Sequence, residues 1–208
     1  MTAAEQAAGR GRGERAWVAP PGRAVLASLV LRGLDPSHSL LPFAAAVAVC
    51  RAVDAVAGVH CRVKWPNDVW IGGRKTAGIL IEGRPREGWA VLGVGLNVLT
   101  RDEEMPEDLR ATATSLAAAS GRPGLSVEGT LEALLAELGR ALADGPAGVL
   151  AAWRERDALN GREISWDGGA GQARGIDDSG RLIVDGIAGT TALSAGEVRL
   201  VRPAGETP

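Results

Sequence analysis

Tyrosine is absent from this 208-residue sequence, phenylalanine occurs once, and cysteine and histidine occur twice each. Each shortage excludes something. Cys50 and Cys61 cannot build a disulfide framework and have no metal-ligand spacing, so they read as buried thiols. His38 and His60 stand in no motif, which leaves little for histidine-based acid–base chemistry. No apolar run approaches the roughly 18 residues of a membrane span, and the first residues lack the apolar stretch of a secretory signal. The expected compartment is therefore the cytoplasm, with no membrane partner. A net charge of −2 gives no global attraction to nucleic acid, so any positive site must be local.

What is present is 29 glycines, six tryptophans and a 46% apolar content, enough for a soluble globular core built mainly from aliphatic side chains. Residues 9–23, rich in Gly, Arg and Pro, read as a loop. Residues 25–31 and 60–65 read as strands. Between them Pro42 opens and Gly58 closes an Ala/Val-rich stretch, the punctuation of a helix. Runs 69–71 and 76–82 flank Gly72-Gly73, a hairpin signal, and 89–98 reads as another strand. Leu131, Leu134, Leu135, Leu138 and Leu142 recur at helical spacing behind Ser126, a candidate N-cap. A second helix is expected over about 148–159. From Gly161 short runs at 172–176, 181–184 and 197–201 alternate with turns such as Asp178-Ser179-Gly180, which suggests a small barrel. The expected fold is α+β: a mixed, largely antiparallel sheet with packed helices over residues 1–160, then a small barrel over 161–208. Cutting after residue 160 is expected to leave a soluble core.

Three segments carry chemistry. In the first, Gly9-Arg10-Gly11-Arg12-Gly13-Glu14-Arg15, preceded by Gln6 and followed by Trp17, glycines let the backbone approach a ligand and form N–H nests for anions. The arginines offer forked donors for phosphate or carboxylate. By composition this stretch is equally well a solvated linker. The second is Lys64-Trp65-Pro66-Asn67-Asp68, followed by Gly73-Arg74-Lys75-Thr76-Ala77-Gly78-Ile79-Leu80. It sets two lysines and a carboxylate around the ends of a hairpin, with a glycine inside a strand where something must come close. The third is Gly93-Val94-Gly95-Leu96-Asn97, where two strand glycines cost stability unless the space is needed, a bulge being the plain alternative. No helix follows it, so it is no Rossmann fingerprint, and the chain contains no P-loop.

Taken together, GRGR…W, KWPND, GRKxxGIL and GVGLN resemble the biotin protein ligases along nearly the whole chain. The resemblance implies the biotin–lipoate ligase catalytic fold, related to class II aminoacyl-tRNA synthetases, with a C-terminal SH3-like barrel. It implies ATP and biotin as substrates, Mg²⁺ on the phosphates, and a biotin carboxyl carrier protein as acceptor. Lys75 would bridge the biotin carboxyl group and the α-phosphate. Gln6, Gly9 and Arg10 would belong to the biotin loop, and Gly78 and Leu80 would line its pocket. Arg12 and Arg15 would face ATP phosphates. Trp17 and Asn97 would sit near the adenine, with Asn67 also on the ATP side. With Lys75 and Arg10, Asp68 joins the catalytic group, either orienting the acceptor amine and taking its proton or holding Mg²⁺.

Three departures from the family's pattern stand out. Glu14 puts a negative charge in the phosphate loop, and Ala7 stands where Thr is common. Family members also carry an upstream segment with a Ser/Thr-x-Asn contact to biotin, so the chain as given is expected to lack one wall of that pocket. The N-terminal DNA-binding domain of the longer members is likewise not expected, and a homodimer is left open. The rival readings are a lipoate ligase or octanoyltransferase, and a non-catalytic nucleotide- or acceptor-binding remnant.

Overall fold

The computed structural model describes residues 1–13, 15–84 and 87–201. The Gly/Arg segment is not wholly irregular: β1 (Gly9–Arg10) and β2 (Ala16–Trp17) pair as a two-residue antiparallel ribbon. β3 (Ala24–Arg32) follows, then α1 (Leu41–Ala57), β4 (Arg62–Lys64), β5 (Asp68–Ile71), β6 (Arg74–Arg84) and β7 (Trp89–Asn97). The strands β3 to β7 form one sheet in the order β3-β7-β6-β5-β4, with every strand pair antiparallel. Parallel pairing occurs among the described residues only as isolated bridges, such as Val63 to Asp157 and Lys75 to Ala113. Gly72 and Gly73 make the β5–β6 turn with φ of 57° and 81°, the positive values that a two-residue type I′ turn needs. β3 is an edge strand, and Thr2 bridges to it at Ala27.

α1 explains how an Ala-rich chain fills a core with so few aromatics. Phe43 and every residue from Ala44 to Cys50 are buried, as are Ala52 and Val53. A helix apolar on nearly every side belongs at the centre of a fold. It packs against the sheet on one side and, on the other, against α3 (Val127–Ala143) and α4 (Gly145–Arg154), which follow a one-turn α2 (Leu116–Ser120). Gly58 closes α1 in the left-handed conformation, and Ser126 caps α3 by accepting from the Gly129 N–H at 3.0 Å. α4 starts and ends earlier than its apolar pattern predicts. Its start has Pro146 in the first turn. Beyond its end the backbone is taken by β4: Val63 N–H donates to the Arg156 carbonyl and Ala158 N–H to the Val63 carbonyl. The Arg156–Asp54 ion pair (2.5 Å) ties the same segment to α1.

The C-terminal strands β8 (Glu163–Trp166), β9 (Gly169–Ile176), β10 (Leu182–Gly186), β11 (Gly189–Leu193) and β12 (Val198–Leu200) form a second antiparallel sheet, ordered β11-β10-β9-β8-β12. β8 and β11 were not foreseen; β11 is almost wholly exposed and carries no apolar alternation to read. Residues 202–208, the end of the expected barrel, lie outside the described residues. One apolar cluster runs through both parts of the chain, joining Phe43, Trp65, Trp153 and Leu159 to Ile164, Ile176, Leu182 and Val198. The Trp65 indole N–H donates to the Gly180 carbonyl at 3.0 Å. Gly180 packs so closely on Phe43 that a Cβ there would lie 2.5 Å from the ring.

Asp157 stands at this junction, 6% exposed. Its Oδ1 accepts from the Leu159 and Asn160 N–H groups, and its Oδ2 has no partner. Burial pushes its carboxyl group above the usual range, against the two N–H bonds and Arg62, which pull it down. The folded state therefore holds a proton that the unfolded chain has released, and stability falls as pH rises from the unfolded value, about 3.9, through the folded one. Asp157→Asn keeps the Oδ1 acceptor without the charge. Its thermal midpoint relative to the parent is expected to rise between pH 4 and pH 8; a difference independent of pH in a scanning series would contradict this.

Candidate active site

Two cavities meet on the sheet. The larger, about 480 Å³, is lined by Gly11, Arg12, Arg15, Lys64, Asp68, Lys75 and, from the loop just before β12, Glu197, among others. The smaller, about 160 Å³, is lined by Gln6, Arg10, Gly78, Leu80, Gly93 and Gly95 with neighbouring apolar side chains. Gly11, Arg12, Trp17, Asn67 and Lys75 line both. Residues from three sequence segments thus meet at one junction, with a fourth supplied from more than a hundred residues downstream.

The floor between the cavities is made of glycine. Gly78 and Gly95 are cross-strand partners on β6 and β7, and the Trp17 ring lies over both. A Cβ at Gly95 would fall 2.5–2.8 Å from that ring, and one at Gly78 would fall 3.1 Å from it and 3.4 Å from the Lys75 Nζ. Gly95 is therefore required by the ring. Gly93 is different: its nearest neighbour would be an ordinary 3.5 Å away, so within the chain nothing forces a glycine there. Gly9 is required by backbone, since a Cβ would lie 2.3 Å from the Trp17 carbonyl. The Trp17 indole N–H is buried without a partner.

The charged groups are held in pairs. Lys75 Nζ lies 2.7 Å from Asp68 Oδ1 and 5.6 Å from the Trp17 ring centroid. A β-bulge shifts the β5–β6 register between Val69 and Trp70, near this pair. Arg10 makes a bidentate contact with Glu82 (3.0 and 2.7 Å), and Arg15 is ion-paired with Glu197. Arg12 donates to Asn67 Oδ1 at 3.3 Å, while Asn67 Nδ2 donates to the Ile79 carbonyl at 2.7 Å. Asn97 lies outside this constellation. It is 8% exposed, lines neither cavity, and donates to the Thr114 carbonyl at 3.1 Å. Glu14 lies outside the described residues. Sequence reasoning assigned no role to Lys64, Glu82 or Glu197. Lys64 was legible inside KWPND; Glu197 carried no signal, because only the packing of the second sheet brings it here.

Residues 1–98 match the Biotin/lipoate A/B protein ligase family and residues 170–201 match the Biotin protein ligase C terminal domain. The chain is 36% identical to a biotin–[acetyl-CoA-carboxylase] ligase of Paracoccus denitrificans, over 95% of this chain and 88% of that protein.

The chain belongs to the biotin protein ligase family.

It is also 34% identical to the bifunctional ligase/repressor of Bacillus spizizenii, over 96% of this chain, but spans only 65% of that protein's length. In fold it is similar to the biotin protein ligase of Aquifex aeolicus in complex with biotin and ATP, with a TM-score of 0.83 at 24% identity, covering 97% of this chain and 88% of that one. The C-terminal match and these relatives favour the biotin ligases over the lipoate branch. Among the described residues no helix is long and apolar enough to cross a membrane, and no three acidic, His or Cys side chains cluster as metal ligands.

Proposed function

We propose that this chain joins biotin to ATP, releasing pyrophosphate, and then passes biotin from the adenylate to a lysine of a biotin carboxyl carrier protein. The observation that carries the reading is the meeting of two cavities at Lys75: a small one with a glycine floor, and a larger one rimmed by cations and loop glycines. Biotin suits the first and the nucleotide the second. A biotin carboxylate, with a pKa near that of Glu at about 4.3, is ionised at neutral pH and needs no base. Its oxygen attacks the α-phosphorus while the bond to the β-phosphate breaks. The obstacle is repulsion between anion and polyanion. Lys75 has three N–H donors, so it can keep Asp68 on one and offer two to the reacting oxygens. Arg10 and Arg12 add charge once they turn from Glu82 and Asn67; Gln6, Gly11 and Leu80 shape the walls, and Gly9 lets its strand close on the Trp17 backbone.

In the second step the acceptor amine attacks the acyl carbon and AMP leaves. Asp68 orients that amine and takes its proton. Mg²⁺ would enter with the triphosphate, held by its oxygens, and would neutralise phosphate charge; holding it is the alternative role for the Asp68 carboxylate. Trp17 and Arg15 belong to the nucleotide side in this reading. The division of the chain near residue 160 and a cytoplasmic setting are parts of the same proposal.

Biotin-dependent exchange of labelled pyrophosphate into ATP tests it directly. Its absence, with folded protein and saturating biotin, removes the enzymatic reading and favours a binding remnant. A finer test uses the glycine floor. In Gly95→Ala the strand cannot yield, because β7 is paired on both sides, so the Trp17 ring must move. ATP affinity is expected to fall by about 1–2 kcal/mol, the worth of one base–aromatic contact. Calorimetry with an unchanged ATP affinity would dissociate Trp17 from the nucleotide.

A further inference from the structure

Lys64 is the cation of this site that the mechanism above leaves unused. It lies on β4 as the cross-strand partner of Asp68, and its side chain lines the larger cavity. Its ammonium stands 5.3 Å from the centroid of the Trp70 ring, a contact that holds it in place. The other cations here each have an acidic or amide partner: Lys75 has Asp68, Arg15 has Glu197, Arg10 has Glu82 and Arg12 has Asn67. Among the described residues Lys64 has no carboxylate within ion-pair distance. Burial lowers its pKa, Asp68 and Glu197 pull it back up, and Lys75 and Arg15 push it further down. A half-buried ammonium with no carboxylate in direct contact is costly unless an anion joins it.

Its place in the cavities says which anion. Lys75, Arg12 and Gly11 line both cavities and so mark the junction where the bond is made. Lys64, Arg15 and Glu197 line the larger one and not the smaller, whose lining includes Gly78 and Gly95. With the α-phosphate at Lys75 and the base at Trp17, both at the junction, the remaining cations of the larger cavity are left for the terminal phosphates.

We propose that Lys64 binds the β- and γ-phosphates of ATP and holds them as they leave as pyrophosphate. The inference rests on the ligase reading and deepens it. Lys64→Gln, with Lys64→Arg as the conservative variant, is to be compared with the parent in biotin-dependent ATP–pyrophosphate exchange. Arg62→Gln, which removes an exposed cation two residues away, serves as the control for loss of charge at a distance. In Lys64→Gln the KM values for ATP and for pyrophosphate are expected to rise together by roughly 10- to 100-fold, the loss of one charge-assisted hydrogen bond. Lys64→Arg should recover part of that, and Arg62→Gln should stay within about twofold. Biotin affinity without nucleotide and transfer from preformed biotinyl-AMP to the acceptor should not change, since neither involves the terminal phosphates. Parent-like KM values in Lys64→Gln, an equal loss in transfer from preformed adenylate, or an equal loss in Arg62→Gln would each overturn the assignment. A parent protein without exchange activity would instead bring down the ligase reading itself.

Discussion

Lys75→Ala lowers biotin-dependent ATP–pyrophosphate exchange by roughly 10²–10³-fold, the usual loss when one preorganised charge-stabilising donor is removed. The expectation follows from position. Lys75 is the one lysine shared by both cavities. Its amine is held over the floor by three things at once: the absence of a side chain at Gly78, the face of Trp17, and Asp68 at 2.7 Å. The side chains of Lys75 and Asp68 are 34% and 17% exposed, so Lys75→Ala also leaves a largely buried carboxylate without its partner. Some fall in the thermal midpoint is therefore expected, but a cooperative melt should persist while activity collapses. Lys75→Arg should not restore the rate, because a planar guanidinium cannot occupy the same point. Exchange at the parent rate in Lys75→Ala would remove this residue from the chemistry.

A chain ended after Asn160 is expected to lose activity and also solubility, which changes the expectation drawn from the sequence. Removal of the second sheet uncovers Trp65, now 1% exposed, and Phe43, now 7% exposed. It takes away the Gly180 carbonyl that satisfies the Trp65 indole, and the Asp178 carboxylate and Ile176 carbonyl that hold Arg154. Each large apolar side chain returned to water costs about 1.5–3 kcal/mol, against a total stability of about 5–15 kcal/mol for a whole domain. The larger cavity also loses Glu197, the partner of Arg15. Size-exclusion chromatography and a thermal melt of the shortened chain decide the matter: a monomeric, cooperatively melting product would mean that the two sheets are independent. A soluble product with full exchange activity would separate the second sheet from the ATP site.

Most of the elements were legible because their signals are local. Gly72-Gly73 fixes a hairpin wherever it stands between apolar strands, and Pro42 and Gly58 bracket α1 by their own backbone preferences. Ser126 caps α3 because a serine side chain can reach the Gly129 N–H without help from elsewhere. The unforeseen parts depend on distant neighbours. The last turn predicted for α4 is lost to pairing with β4. β11 exists because β10 lies beside it, with hardly any buried side chain of its own.

The same division runs through the site. The glycine, arginine and lysine motifs named the groups that meet there, since close approach, nests and fixed positive charge each demand particular residue types. The sequence by itself determined that these groups are present, that they lie in a Gly/Arg loop, around a hairpin and inside its strands, and that the family is that of the biotin ligases. Tertiary structure alone decided which glycine is forced, Gly95 under Trp17 and not Gly93. It alone set Asn97 against Thr114, lining neither cavity, and brought Glu197 to Arg15 across 182 positions of chain. The physical reason is range. A turn or a cap is settled by energies within a few residues, whereas a close contact between a ring and a strand, or an ion pair between two loops far apart in the chain, exists only after the core between them has packed.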